Sequence, residues 1–138
     1  MYLRPVYLFA CLLLVTLSVA VQADKVDALL GHAQESPKFE TRCGWFSNPT
    51  PANTWLQDRD AQWIIATQGG YQLEQDWPWP NFKKGQWVRT NVGEYGHGCA
   101  CFSMRVDKET HHVLEIKSAR ARPLSACRRD RALKRWNY

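Results

Sequence analysis

The sequence predicts an α+β, β-rich domain: a small antiparallel sheet of four to six strands with a C-terminal helix, stapled by disulfides. Three observations predict it. Short runs of alternating apolar and polar residues lie between clusters of Gly, Pro and Asn, the pattern of half-buried strands joined by turns. Four cysteines, Cys43, Cys99, Cys101 and Cys127, serve a chain too short to bury a large core. Near the C-terminus "LSACRRDRALKRW" places Leu133 and Trp136 on one side of a helix, with Ser125 available as its cap and Leu124 outside it. A small sandwich or a partly open barrel would satisfy the same pattern.

Residues 1–23 read as a cleaved secretory signal: Arg4 precedes the apolar run Val6 to Ala20, and "VQA" supplies small residues for cleavage after Ala23. A single-pass anchor is the alternative, but the run is shorter than the ~20 apolar residues that span a bilayer. The expected location is therefore periplasmic or secreted, with no stable membrane insertion after cleavage. Residues 24–40 form a helical or flexible N-terminal arm, and residues 41–138 a single disulfide-stapled domain.

Within that domain "TRCGWF" is a short strand, and "SNPTPAN" is expected to be irregular because of its two prolines. "AQWIIAT" is a strand followed by "QGG", a turn with positive φ, after which "YQLEQ" could pair back. "DWPWPNF" cannot be a central strand, since Pro78 and Pro80 lack the amide donor a ladder needs. "GQWVRT" is the next strand. "CACFSMRV" alternates most clearly, with Ala100, Phe102, Met104 and Val106 on one face and Cys99, Cys101, Ser103 and Arg105 on the other. "DKET" turns it into "HHVLEIKS", where His112, Leu114 and Ile116 are expected to oppose Val113, Glu115 and Lys117.

Four cysteines in an oxidising compartment imply two disulfides. Cys99 and Cys101 lie two apart on one strand face, with Cα atoms about 6.6 to 6.8 Å apart and parallel Cβ vectors, so bonding each other is the poorest pairing. One is expected to bond Cys43 and the other Cys127.

Charge is segregated. Lys117 to Arg135 holds eight basic residues against Asp130 alone, a net +7 within a chain of formal charge +5. Arg120, Arg122, Arg128, Arg129 and Arg131 are candidate contacts for an anionic partner, the alternative being a solvated arginine-rich helix face. Nucleic acid is not expected, since export argues against it and no recognition module is present.

Seven tryptophans need burial or a partner. Trp45, Trp55, Trp63 and Trp87 lie in or beside strands and are expected in the core. Trp77 and Trp79, flanked by prolines, are candidate exposed stacking surfaces, or else a lid on the sheet edge.

"NVGEYGHGCACF" combines glycines, a histidine and cysteines. It reads as a rigid recognition loop in which Gly93, Gly96 and Gly98 permit a tight turn and Glu94, Tyr95 and His97 form the tip. The alternative is a loop packed on the sheet. A metal site drawn from His97, Cys99, Cys101 and His111 or His112 lacks the usual zinc spacing. A thiol redox site would need two residues between its cysteines. No nucleophile elbow occurs; of the carboxylates Asp58, Asp60, Glu74 and Asp76 that a glycosidase pair could use, Asp58 and Asp60 lie in "LQDRDAQW", a polar turn before a strand; and the glycines fit no phosphate-binding pattern. The chain is accordingly read as non-catalytic and without a cofactor.

"RCGWFSNPTPANTWLQDRDAQW", "QGGY", "YGHGCACF" and "SARARPLSACRRDRAL" together resemble a bacterial family of small exported proteins, shared among Proteobacteria and catalogued as a domain of unknown function. The likeness covers about residues 41–133. It implies a signal peptide, a single domain and the four cysteines as framework, and it carries no activity to transfer. "LEQDWPWPNF" is richer in Trp and Pro than the family pattern. The expected function is a periplasmic protein-binding module, such as an inhibitor or immunity protein against a cell-wall-active enzyme or toxin, with an acidic exported protein as partner. The alternative is a binder of anionic envelope material, peptidoglycan or a lipopolysaccharide headgroup.

Overall fold

The structure, a computed structural model, describes residues 36–138. The expected signal peptide at 1–23 and most of the expected arm at 24–40 lie outside the described residues. Six strands form one antiparallel sheet: β1 (Glu40–Thr50), β2 (Asn53–Gln57), β3 (Gln62–Ala66), β4 (Trp87–Arg89), β5 (Gly96–Val106) and β6 (Val113–Arg122). A short helix, α1 (Leu124–Arg129), and a 3₁₀-helix (Arg131–Trp136) close the chain. This is the architecture the sequence predicts.

The central strand is β5. It faces β1 from Glu40↔Met104 to Asn48↔Gly96. On its other edge it pairs with β4 at Gly96 to Gly98 and then with β6 from Cys99 onward. β2 and β3 extend the sheet beyond β1. The sheet curls until β3 reaches the start of β6, where the Ile64 amide donates to the His111 carbonyl at 2.8 Å. The curl closes around Phe46, Leu56, Trp63, Ile65, Phe102, Met104, Val113 and Ile116, one apolar residue set from each inward face. Burying side chains of this size stabilises the fold by about 1.5–3 kcal/mol each.

The alternation expected for β5 is the one observed, with Ala100, Phe102, Met104 and Val106 all inside. β1 follows the same rule, placing Arg42, Gly44 and Phe46 inward and Cys43, Trp45 and Ser47 outward. As expected, Cys99 and Cys101 do not bond each other but are bonded outward, one to Cys43 and one to Cys127; the pairing, left open by the sequence, is Cys43–Cys101 and Cys99–Cys127. The first joins directly opposed residues of β1 and β5. The second pins α1 to the outer face of the sheet, over a separate cluster of Trp45, Cys127 and Leu133.

Five local expectations are corrected. "SNPTPAN" is not irregular throughout: β1 continues to Thr50 through Pro49, the turn is confined to Pro51 and Ala52, and β2 follows at once. Pro49 is tolerated because it lies past the last β5 partner, Asn48, and inside the register shift of the β1–β2 ladder, where no amide is required. In β6 the expected alternation breaks at two bulges. Arg105 pairs with Glu115 and Val106 with Val113, which leaves Leu114 as an extra residue, 41% exposed. Lys117 is the extra residue of the second bulge. The C-terminal helix divides at Asp130, whose extended backbone ends α1 and whose side chain accepts from the Ala132 amide. Pro123, not Ser125, precedes the first turn, without a side-chain cap, and Leu124 belongs to the helix. "YQLEQ" forms no strand, only a bridge between Gln72 and Ala66.

One buried ion pair, Arg42 with Asp58, is held inside. Arg42 lies 4.0 Å over the Trp63 ring and donates to Asp58 Oδ2 at 2.6 Å, Asp60 Oδ2 at 3.0 Å and Glu40 Oε1 at 2.9 Å. Asp58 Oδ1 in turn accepts from the Asp60 and Ala61 amides and so fixes the β2–β3 turn. Asp58 and Asp60 are thus engaged in holding a guanidinium group.

Candidate binding site

The outer face of the sheet carries the candidate surface. Residues opposite one another across a ladder point to the same side, so Arg120 and Arg122, the partners of Cys101 and Cys99, project outward beside the two disulfides. The Cys99–Cys127 bond brings α1 onto this face and with it Arg128 and Arg129. Asp130 then redirects the chain so that Arg131 and Lys134 follow on the 3₁₀-helix. Arg120, Arg128, Arg129, Arg131 and Lys134 are exposed and Arg122 is half-buried. None of these six makes an ion pair among the described residues. Beneath them a cleft of about 470 Å³ opens between the helical cap and β1, with Arg128 and Lys134 at its rim and Trp45 and Leu133 in its wall.

His97 belongs to this outer face and not to a loop tip. It is a residue of β5, opposite Ser47, and its ring packs against Trp45 at 5.6 Å and Tyr138 at 4.6 Å. Burial, and after it the positive charge of Arg128, hold its pKa below the usual histidine value. The Tyr138 hydroxyl hydrogen-bonds Ser47 Oγ and Gln57 Oε1, so the last residue is tied onto the same patch. Trp136 anchors the cap on the other side, its indole donating to the Asp58 carbonyl at 2.7 Å.

The glycine stretch is a hairpin. Only Asn91 to Tyr95 turn between β4 and β5, and only Gly93 has positive φ, at 67°. Gly96 and Gly98 serve a different purpose from the tight turn expected of them: a Cβ on Gly96 would lie 2.0 Å from the Val88 carbonyl oxygen, and one on Gly98 2.5 Å from the Phe82 ring. They let β4 and its preceding loop lie against β5. The turn is well fixed, by Thr90 N to Tyr95 O at 3.0 Å, Trp87 Nε1 to Glu94 O at 3.1 Å and an Arg89–Glu94 ion pair at 2.8 Å. Glu94 is exposed and Tyr95 half-buried, while the residue presented most fully is Val92, at 79% exposure. Sequence reasoning passed over Val92, although an apolar residue between Asn91 and Gly93 is a turn position with no route to the core.

The aromatic segment divides between its two expected roles. Trp77 is half-buried and packs on Phe46 and Phe102, as a lid would. Trp79 stacks on Trp77 at 5.2 Å and meets Phe46 at 4.9 Å, yet stays 47% exposed. Phe46 points inward and Trp45 outward, so Trp79 and the arginine face lie on opposite sides of β1. The candidate contact residues are divided between two sides of β1: the arginines and His97 lie on the outer face, and Trp77 and Trp79 on the other, where Glu94 of the hairpin lines the same groove as Trp79. Of the four tryptophans expected in the core, Trp45 and Trp63 are buried, whereas Trp55 and Trp87 are half-buried.

Among the described residues no three His, Cys, Asp or Glu side chains are grouped to hold a metal ion, and no helix is long and apolar enough to cross a membrane. The chain belongs to the DUF4087 family, described as proteins of unknown function, whose pattern matches residues 37–134. No curated protein and no solved structure matches the chain.

Proposed function

We propose that the domain is a non-catalytic binding module of the bacterial envelope whose basic face docks on the acidic surface of an exported protein. Inhibition of, or immunity to, a cell-wall-active enzyme or toxin is the role that fits such a module. The observation that carries the reading is the set of six cations, Arg120, Arg122, Arg128, Arg129, Arg131 and Lys134, left without ion pairs among the described residues around a disulfide-fixed cap. Cations gathered without partners repel one another, a cost that an anionic partner relieves on binding, and their field raises the rate of encounter. A cap fixed by Cys99–Cys127 loses little freedom on association. The leader-like residues 1–23 support export.

Anionic envelope polymer would meet the same guanidinium groups, and the two partners separate experimentally. The mature domain is immobilised and exposed to an extract of exported proteins, to purified sacculi and to lipopolysaccharide. Retention of one stoichiometric acidic protein, abolished by Arg128→Glu with Arg129→Glu, supports the reading. Retention of sacculi or lipopolysaccharide alone replaces it with the polymer.

A further inference from the structure

We infer that the face of the sheet opposite the arginines carries a second site, a groove for a neutral oligosaccharide built on Trp79. The groove holds about 580 Å³, within the range of about 300–1,000 Å³ typical of small-ligand sites. Its floor and wall are the rings of Trp79, Phe82 and Trp87, and its polar groups are Asn48, Asn81 and Glu94.

Three features point to a sugar. Trp79 is presented as a fixed flat surface: it is backed by Trp77, braced against Phe46 and followed by the fully buried Pro80, yet nearly half of it faces solvent. An indole held open in this way matches the C–H face of a pyranose ring, and holding it in place before binding lowers the ordering cost. The polar groups are of the kind that pair with hydroxyls. The Asn81 amide makes no hydrogen bond among the described residues, and Glu94 engages Arg89 through Oε1 alone, leaving Oε2 to accept. Glu94, the one charged residue lining the groove, is paired with Arg89, so the two charges offset each other. A neutral ligand fits that balance, in contrast to the anionic partner of the opposite face. The inference is independent of the proposed function, because it uses none of the six cations of the basic face.

The test is a titration of the mature domain with chitotetraose and with cellotetraose, followed by tryptophan fluorescence and by amide shifts. At least one of the two is expected to give a saturable change that is insensitive to salt. Trp79→Ala should weaken it at least tenfold and Trp79→Tyr should restore most of it, while Asn81→Ala, at an exposed position with an unchanged melting curve, should weaken it several-fold. Arg128→Glu with Arg129→Glu should leave it intact. Absence of a saturable change with both sugars, equal binding by Trp79→Ala or Asn81→Ala, or loss on reversing the arginines would each overturn the inference. Saturable binding of a proline-rich peptide with no response to either sugar would overturn it as well.

Discussion

Cys43 faces Cys101 across the β1–β5 ladder with Cα atoms 4.0 Å apart, and the two are bonded although Cys43 is exposed and Cys101 is 6% exposed. Its neighbour two residues away, Cys99, bonds Cys127 on the other side of the same strand face. The pair thus ties β5 to the first strand and to the C-terminal cap. Replacing Cys99 and Cys127 together by serine should cost about 3–4 kcal/mol on the chain-entropy estimate for a 28-residue separation. Chemical denaturation and amide exchange would check this, with exchange rising first in α1 and the 3₁₀-helix. Loss of β1–β5 protection at the same time would show that the cap is not a separate layer.

Asp58→Ala is expected to be among the most damaging single changes in the domain. It removes the closest partner of a buried guanidinium and frees the Asp60 and Ala61 amides. Leaving one member of a buried pair uncompensated costs about 3–5 kcal/mol. Here Glu40 and Asp60 still hold Arg42, which sets the lower end as the expected value in urea unfolding.

Gly96→Ala should destabilise through backbone contact, since the added methyl meets the Val88 carbonyl oxygen, which no rotamer change can move. Overpacking of this kind costs about 1–3 kcal/mol. Gly93→Ala acts by another route, the positive φ, and should cost less, because nothing but the Tyr95 ring lies near its side-chain position. Thermal melts of the two variants would rank them.

His97 sets a pH dependence. Its folded pKa lies below the unfolded value, through burial first and Arg128 second. The unfolded chain therefore binds more protons, and stability that is complete above the unfolded pKa of about 6.5 declines as pH falls through that value. Melting temperatures recorded from pH 8 down to pH 5.5 should fall more steeply for the wild type than for His97→Gln. Arg128→Ala should make the fall shallower. Parallel slopes in all three proteins would remove His97 from the account.

Much of this architecture was legible because it follows from spacing. The period-two pattern of Ala100 to Val106 placed β5, and the two-residue interval between Cys99 and Cys101 made their bonding each other the poorest pairing. The failures share a cause, in that local chemistry was overridden by the partner strand. Pro49 and Pro51 hid β2, since nothing in "SNPTPAN" reveals that Pro49 falls where neither neighbouring ladder needs its amide. Bulges at Leu114 and Lys117 reversed the faces of β6, and a bulge is visible only when the opposite strand is counted. The arginine run was plain in the sequence. That Trp79 lies on the other side of β1 from it was not, because this depends on Phe46 pointing in while Trp45 points out.

The measurement closest to the central claim is the salt dependence of what the immobilised mature domain retains from exported proteins, compared with Arg128→Glu, Arg129→Glu. The double reversal should change stability by no more than about 1 kcal/mol, because both residues are exposed. The account predicts one acidic protein held at equimolar ratio in low salt, released as ionic strength rises past the point where the Debye length is about 8 Å, and not held at all by the variant. Equal retention by the variant, or retention that salt does not weaken, would contradict a partner docked on the basic face.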